Sequence, residues 1–104
     1  MFYYIYILLS RKFKRLYIGF TSRSPVKRKG EHDRGEVRST KPYRPYELIC
    51  FEAFINKRDA MNRERYLKSG WGRRSLKKML KNYFGDLDLN KFDLITDSQY
   101  FVTC

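Results

Sequence analysis

The stretches Tyr3-Tyr4-Ile5-Tyr6-Ile7-Leu8-Leu9 and Leu16-Tyr17-Ile18-Gly19-Phe20 decide the fold. Both are rich in aromatic and β-branched residues, and the segment between them, Ser10 to Arg15, is short and polar. They predict two antiparallel strands of a hairpin. Period 2 puts Tyr4 and Tyr6 on one face of the first strand and Tyr3 and Ile5 on the other. In the second strand Tyr17 and Gly19 share a face, and Leu16 and Ile18 share its reverse. A glycine in mid-strand adds no packing, so Gly19 marks a place where another group comes close to the backbone.

Downstream, Ser24 and Pro25 suit the cap and first position of a helix that runs through about His32 to Arg34. A polar stretch from Gly35 to Pro45 precedes a third strand, Tyr46 to Phe54. Asn56 as cap, with Asp59 in the first turn, opens a helix over 57–69 that Gly70 is expected to end. Leu76, Met79, Leu80 and Tyr83 fall at helical spacing and predict a further helix over 73–83 with a basic outer face. The order β-β-α-β-α-α predicts an α+β domain with a small three-stranded antiparallel sheet flanked by helices. Residues 1–84 make up that domain. Residues 85–104 alternate Asp with Leu, Phe and Ile, an acidic-hydrophobic C-terminal segment expected either to dock or to fray.

At 104 residues the expectation is one domain, with no second catalytic domain. The 42% hydrophobic and 17% aromatic content is enough for a core, which separates the chain from a disordered basic tail. It carries 23 Lys+Arg against 11 Asp+Glu, a net charge of +12. Residues 85–104 hold Asp86, Asp88, Asp93 and Asp97 against Lys91, net −3, which leaves +15 on residues 1–84. Such a surface calls for a polyanion, and nucleic acid is the expected partner. One histidine and two cysteines, Cys50 and Cys104, are too few for a closed zinc site and form no disulfide framework, so both are expected as reduced thiols. The apolar run Phe2–Leu9 is too short for a span and lacks the flanks of a signal peptide. A cytoplasmic protein without membrane contact is expected, as a monomer or weak dimer.

Beside the tyrosine-rich face of the hairpin, two constellations carry chemistry. Arg28 and His32 stand at i and i+4 and point the same way, a pairing suited to phosphate, although an ordinary basic helix face gives the same spacing. Ala60, Met61, Glu64 and Leu67 form one stripe, which places the Glu64 carboxylate on the inward face, where it needs a partner, a metal or a function. Pairing with Arg63, Lys68 or a strand arginine would answer that need equally well. Lys27, Arg73, Arg74, Lys77 and Lys78 are candidate phosphate-positioning charges.

Tyr4-Ile5-Tyr6, Tyr17-Ile18-Gly19, Arg28 with His32, and Glu64, in that order and context, resemble the GIY-YIG nuclease superfamily. Arg-Pro-Tyr-Glu-Leu, Ala-Met-Asn-Arg-Glu and Lys-Ser-Gly further resemble its small stand-alone bacterial members, related to the nuclease domain of the excision-repair endonuclease subunit. The resemblance covers residues 3 to about 81. Two departures stand out: Tyr4 replaces the first glycine of the family triplet, and Lys29-Gly30 stands where the family often has an aliphatic residue and a helix former. Asn82 and Asn90 are only loose matches to a late family asparagine.

The resemblance implies metal-dependent hydrolysis of nucleic-acid phosphodiesters, DNA first, with one Mg²⁺ or Mn²⁺ held by Glu64. In that scheme Arg28 neutralises the phosphate, His32 positions it or shuttles a proton, and Tyr6 or Tyr17 deprotonates the attacking water, Tyr6 being the favoured base. Glu52 is the carboxylate to check if Glu64 fails. Repair and recombination are the family's settings, and a protein partner for targeting is expected of so small a nuclease. The alternative is a non-catalytic DNA- or RNA-binding module on the same fold. A third class is an interaction scaffold whose acidic tail docks on its own basic core or on a partner.

Overall fold

A computed structural model describes residues 1–87 and the backbone of 101–103. The strands are β1 (Tyr3–Ser10), β2 (Arg15–Thr21), β3 (Glu47–Phe54) and β4 (Phe101–Thr103). The helices are α1 (Pro25–Asp33), α2 (Lys57–Leu67), α3 (Gly70–Met79) and α4 (Lys81–Asp86), with a 3₁₀ turn at Lys41–Tyr43. β1 is central and antiparallel to both β2 and β3, which gives the three antiparallel strands that the sequence predicts. β4 adds a parallel edge beside β2, in the order β3-β1-β2-β4, and no strand signal in the sequence announces it. The rest of the expected C-terminal segment, residues 88–100 and Cys104, lies outside the described residues.

Alternation along the hairpin splits the sheet into two chemically different faces. Ile5, Ile7 and Leu9 of β1 join Leu16 and Ile18 of β2, with Ala60, Leu67, Leu76 and Phe84, in one apolar core, so α2, α3 and α4 cover this face. Tyr6, Leu8, Tyr17 and Tyr46 form a second buried cluster on the reverse face, where α1 brings in His32. The register Tyr6↔Gly19 and Leu8↔Tyr17 puts both predicted tyrosine rows on this one face.

The helices depart from the sequence reading at their ends. Ser24 occupies the cap position of α1, but its side chain makes no capping hydrogen bond; Pro25 at the first turn supplies the start. α1 ends at Asp33, and two residues on, Gly35, with a φ of 77°, admits the chain reversal in which Glu36 N donates to Glu31 O at 3.0 Å. Asn56 caps α2 as expected, accepting from Arg58 N at 2.8 Å and Asp59 N at 3.2 Å. Gly70 opens α3 instead of simply ending α2, because Ser69 accepts from Gly72 N at 3.1 Å and restarts the helix. The single helix over 73–83 is therefore two, α3 and α4, broken at Leu80. No helix among the described residues is long and apolar enough to cross a membrane.

Candidate active site

The tyrosine face and α1 assemble the site. The Tyr6 hydroxyl lies 2.9 Å from His32 Nε2, and Arg28 Nε donates to that hydroxyl at 3.3 Å. Tyr17 stacks obliquely on His32 with ring centroids 4.8 Å apart and lies 6.0 Å from the Tyr6 ring. Tyr6, Tyr17 and His32 are fully buried. The close approach that the sequence assigns to Gly19 is the tyrosine pair itself. A Cβ on Gly19 would collide with the end of the Tyr6 ring and lie 2.8 Å from Tyr17 Cε1. Among the described residues, the Tyr17 hydroxyl is the buried side-chain polar atom without a hydrogen-bond partner. In a protein interior such a group is expected to meet a ligand or water.

Beyond the residues singled out from sequence, three others complete the cluster. His32 Nδ1 lies 2.7 Å from the buried hydroxyl of Thr40, which in turn is 3.3 Å from Val37 O. Tyr46 donates its hydroxyl to Thr40 O at 3.1 Å, while its backbone N–H donates to Asp33 Oδ1 at 2.8 Å, tying α1 to the start of β3. Burial pushes the Tyr46 phenol up to about 12. Glu31 takes a hydrogen bond from Arg28 at 2.6 Å and pairs with Arg23 at 2.8 Å. Arg28 and Glu31 at i, i+3 thus share a helix face. Thr40 sits eight residues beyond His32 in a polar loop and carries no local signal; only the fold finds it.

Burial first, and then the positive charge of Arg28, holds His32 down at about 4, so the ring is neutral at pH 7. Burial works against the Arg28 guanidinium, but hydrogen bonds to Glu31 and Tyr6 outweigh it and hold Arg28 above its ordinary value. The same bonds from Arg28, and then from Arg23, hold Glu31 below the usual carboxylate range.

The structure brings Tyr6, Tyr17, Arg28 and His32 together. Glu64 comes from α2, which covers the opposite face, and its Oε2 pairs with Lys68 Nζ at 3.2 Å. Its side chain is 18% exposed, so it is partly sheltered as the stripe predicted, while Met61 of that stripe turns outward, 41% exposed. Glu52 is committed to Arg63, which donates from Nε at 2.8 Å and Nη2 at 3.2 Å. No group of three or more His, Cys, Asp or Glu side chains that could hold a metal exists among the described residues. A single carboxylate such as Glu64 would suit an ion like Mg²⁺, which keeps most of its waters and takes oxygens from substrate. Of the basic residues, Lys27, Arg74, Lys77 and Lys78 are exposed, with the Arg74 guanidinium 4.5 Å over the ring of Trp71. Arg73 is partly buried and donates to Lys68 O at 3.1 Å, so it helps to join α2 and α3.

No solved structure matches the chain. It is 37% identical, over 65 residues, to the UPF0213 protein CPE1444 of Clostridium perfringens (strain 13 / Type A), an alignment covering 62% of this chain and 69% of that protein. A model of the GIY-YIG catalytic domain matches residues 2–79, a span that holds the whole tyrosine, histidine and arginine cluster as well as Glu64. The chain belongs to the GIY-YIG family of nuclease-type domains.

Proposed function

We propose that the protein is an endonuclease that hydrolyses nucleic-acid phosphodiesters, DNA first, with one divalent ion. The observation that carries this reading is the convergence of Arg28 and His32 on the Tyr6 hydroxyl, with Tyr17 packed on His32 and both tyrosine rings against Gly19. Arg28 holds a non-bridging phosphate oxygen and neutralises the charge that builds up on phosphorus. The attacking water gives its proton to the Tyr6 oxygen as the Tyr6 proton passes to His32 Nε2, so no free phenolate accumulates. That route exchanges the ionisation of a phenol of pKa about 10 at pH 7 for protonation of an imidazole held down at about 4, a comparable cost. Tyr17 orients the water. Glu64 would hold Mg²⁺ or Mn²⁺, which when bound would supply charge stabilisation to the departing oxygen. The exposed α3 residues Arg74, Lys77 and Lys78, with Lys27 on α1, hold the backbone of the substrate.

Cleavage of plasmid and single strands with Mg²⁺ or Mn²⁺, against EDTA and against Glu64→Ala, tests the reading. Metal-dependent cutting that Glu64→Ala abolishes supports it, and cutting by Glu64→Ala at the wild-type rate refutes the metal assignment. One observation favours the second reading, a binding module without catalysis: Glu64 is paired with Lys68 and rises from the helix on the other face of the sheet. Salt-sensitive binding with no cleavage under any metal would select that reading.

A further inference from the structure

The geometry points to Thr40 as a positioning residue: its buried hydroxyl fixes the tautomer of His32 so that Nε2 faces Tyr6 as a bare acceptor. The inference deepens the proton route proposed above. Four contacts form one continuous chain. Arg28 Nε is 3.3 Å from the Tyr6 hydroxyl, which is 2.9 Å from His32 Nε2; Nδ1 is 2.7 Å from Thr40 Oγ1, and Oγ1 is 3.3 Å from Val37 O.

Both ends of this chain have fixed roles. Arg28 Nε can only donate, and the Val37 carbonyl can only accept. With the proton on Nδ1, every contact has one donor and one acceptor: Arg28 to Tyr6, Tyr6 to His32, His32 to Thr40, Thr40 to Val37. With the proton on Nε2, Thr40 must turn its single proton onto Nδ1 and give up the Val37 bond. The first arrangement satisfies four contacts and the second three, because the single Thr40 hydroxyl proton cannot serve Nδ1 and Val37 O at once. Thr40 is itself held in place, because its backbone N–H donates to Val37 O at 3.2 Å and its carbonyl accepts from Tyr46 at 3.1 Å.

The consequence for the proposed chemistry is directional. The Tyr6 proton points at His32, so a proton arriving at the Tyr6 oxygen from water drives the Tyr6 proton onto Nε2. When that proton lands, the O–H bond to the old proton breaks and an Nε2–H bond forms. The imidazolium keeps its Nδ1–H on Thr40. The charged and titratable groups around the ring are Arg28, Glu31 and Asp33 of α1, Tyr6 and Tyr17 of the hairpin, and Tyr46 before β3.

His32 is the sole histidine of the chain, so ¹⁵N-imidazole labelling gives one unambiguous pair of ring signals. At pH 7 the expected wild-type spectrum has a protonated Nδ1 and an unprotonated Nε2; a protonated Nε2 would overturn the inference. Thr40→Val should move the ring toward the Nε2–H form and slow cleavage at least tenfold, and Thr40→Ser should restore both. Cleavage by Thr40→Val within twofold of wild type would remove the positioning role. If Thr40→Val does not fold, the wild-type spectrum and Thr40→Ser still decide the tautomer. A wild-type protein with the expected spectrum but no cleavage would refute the nuclease reading and leave the tautomer assignment standing.

Discussion

His32 makes folding stability depend on pH between about 6.5 and 4. An imidazole titrates near 6.5 in the unfolded chain and at about 4 in the folded one, so between these values the unfolded state binds the extra proton. Stability is therefore full above pH 6.5 and is lost as the pH falls toward 4. At 1.36 kcal/mol for each pKa unit, the loss over the whole window is about 3 kcal/mol, of which about 2.5 kcal/mol is gone by pH 4.5. For a domain of this size that is a large part of the total. Urea unfolding at pH 7.5, 6.5, 5.5 and 4.5, run on wild type and His32→Gln, measures it. The carboxylates titrate in both proteins, so the difference between the two curves isolates the imidazole. Wild type should lose about 2.5 kcal/mol more than His32→Gln between pH 7.5 and 4.5. Parallel curves, or an NMR titration of His32 centred near 6.5, would show that the ring is neither buried nor positioned as described.

Three further outcomes follow from the same geometry. Arg28→Met should raise the His32 titration above about 4 without restoring 6.5, because the Arg28 charge is the second cause of the depression and burial the first; an NMR midpoint that stays put would contradict the proximity of the two side chains. Gly19→Ala must displace the Tyr6 ring, so it should cost about 1–3 kcal/mol in urea unfolding and reduce cleavage by moving the hydroxyl off Arg28 and His32; wild-type stability and rate would mean that the ring has room. Combined Arg74→Ala, Lys77→Ala and Lys78→Ala should weaken duplex binding and flatten its salt dependence by about 0.9 for each phosphate no longer neutralised. The sole tryptophan, Trp71, is 73% exposed beside Arg74 and reports that binding by its fluorescence, and an unchanged slope would move the interface off α3.

The hairpin and its two faces were legible because a period-2 pattern of tyrosines against isoleucines and leucines admits one arrangement of each strand. Gly19 was legible for a related reason, since a missing side chain in a strand needs a neighbour to fill the space, and Tyr6 and Tyr17 fill it. Arg28 and His32 followed from helical spacing. What local pattern could not give were the groups fixed only by tertiary structure. Thr40 reaches His32 across a loop, and Glu31 is recruited by two arginines, one of them before the helix. The break at Leu80 was hidden because Leu76, Met79, Leu80 and Tyr83 keep helical spacing through it. β4 lies in an acidic-hydrophobic stretch whose pattern specifies no register, so its pairing with Leu16, Tyr17 and Ile18 had no sequence signal.

The same strand pair that builds the core also builds the site, and this ties the two together through register. Ile5, Ile7, Leu9, Leu16 and Ile18 anchor one face under α2, α3 and α4, and that burial leaves Tyr6, Tyr17 and Gly19 only the other face. A slip of one residue in β1 would send Tyr6 into the apolar core and an isoleucine toward His32, losing the core and the hydrogen-bonded cluster in one step. The polar cluster cannot be traded for packing piece by piece either, since each of Arg28, Tyr6, His32 and Thr40 satisfies its neighbour. Removing one member leaves a buried group without its partner. Stability of the sheet and geometry of the site are thus set by one alternation of residues, so variants of the hairpin should alter folding and chemistry together, whereas variants of the exposed α3 residues Arg74, Lys77 and Lys78 should alter only binding.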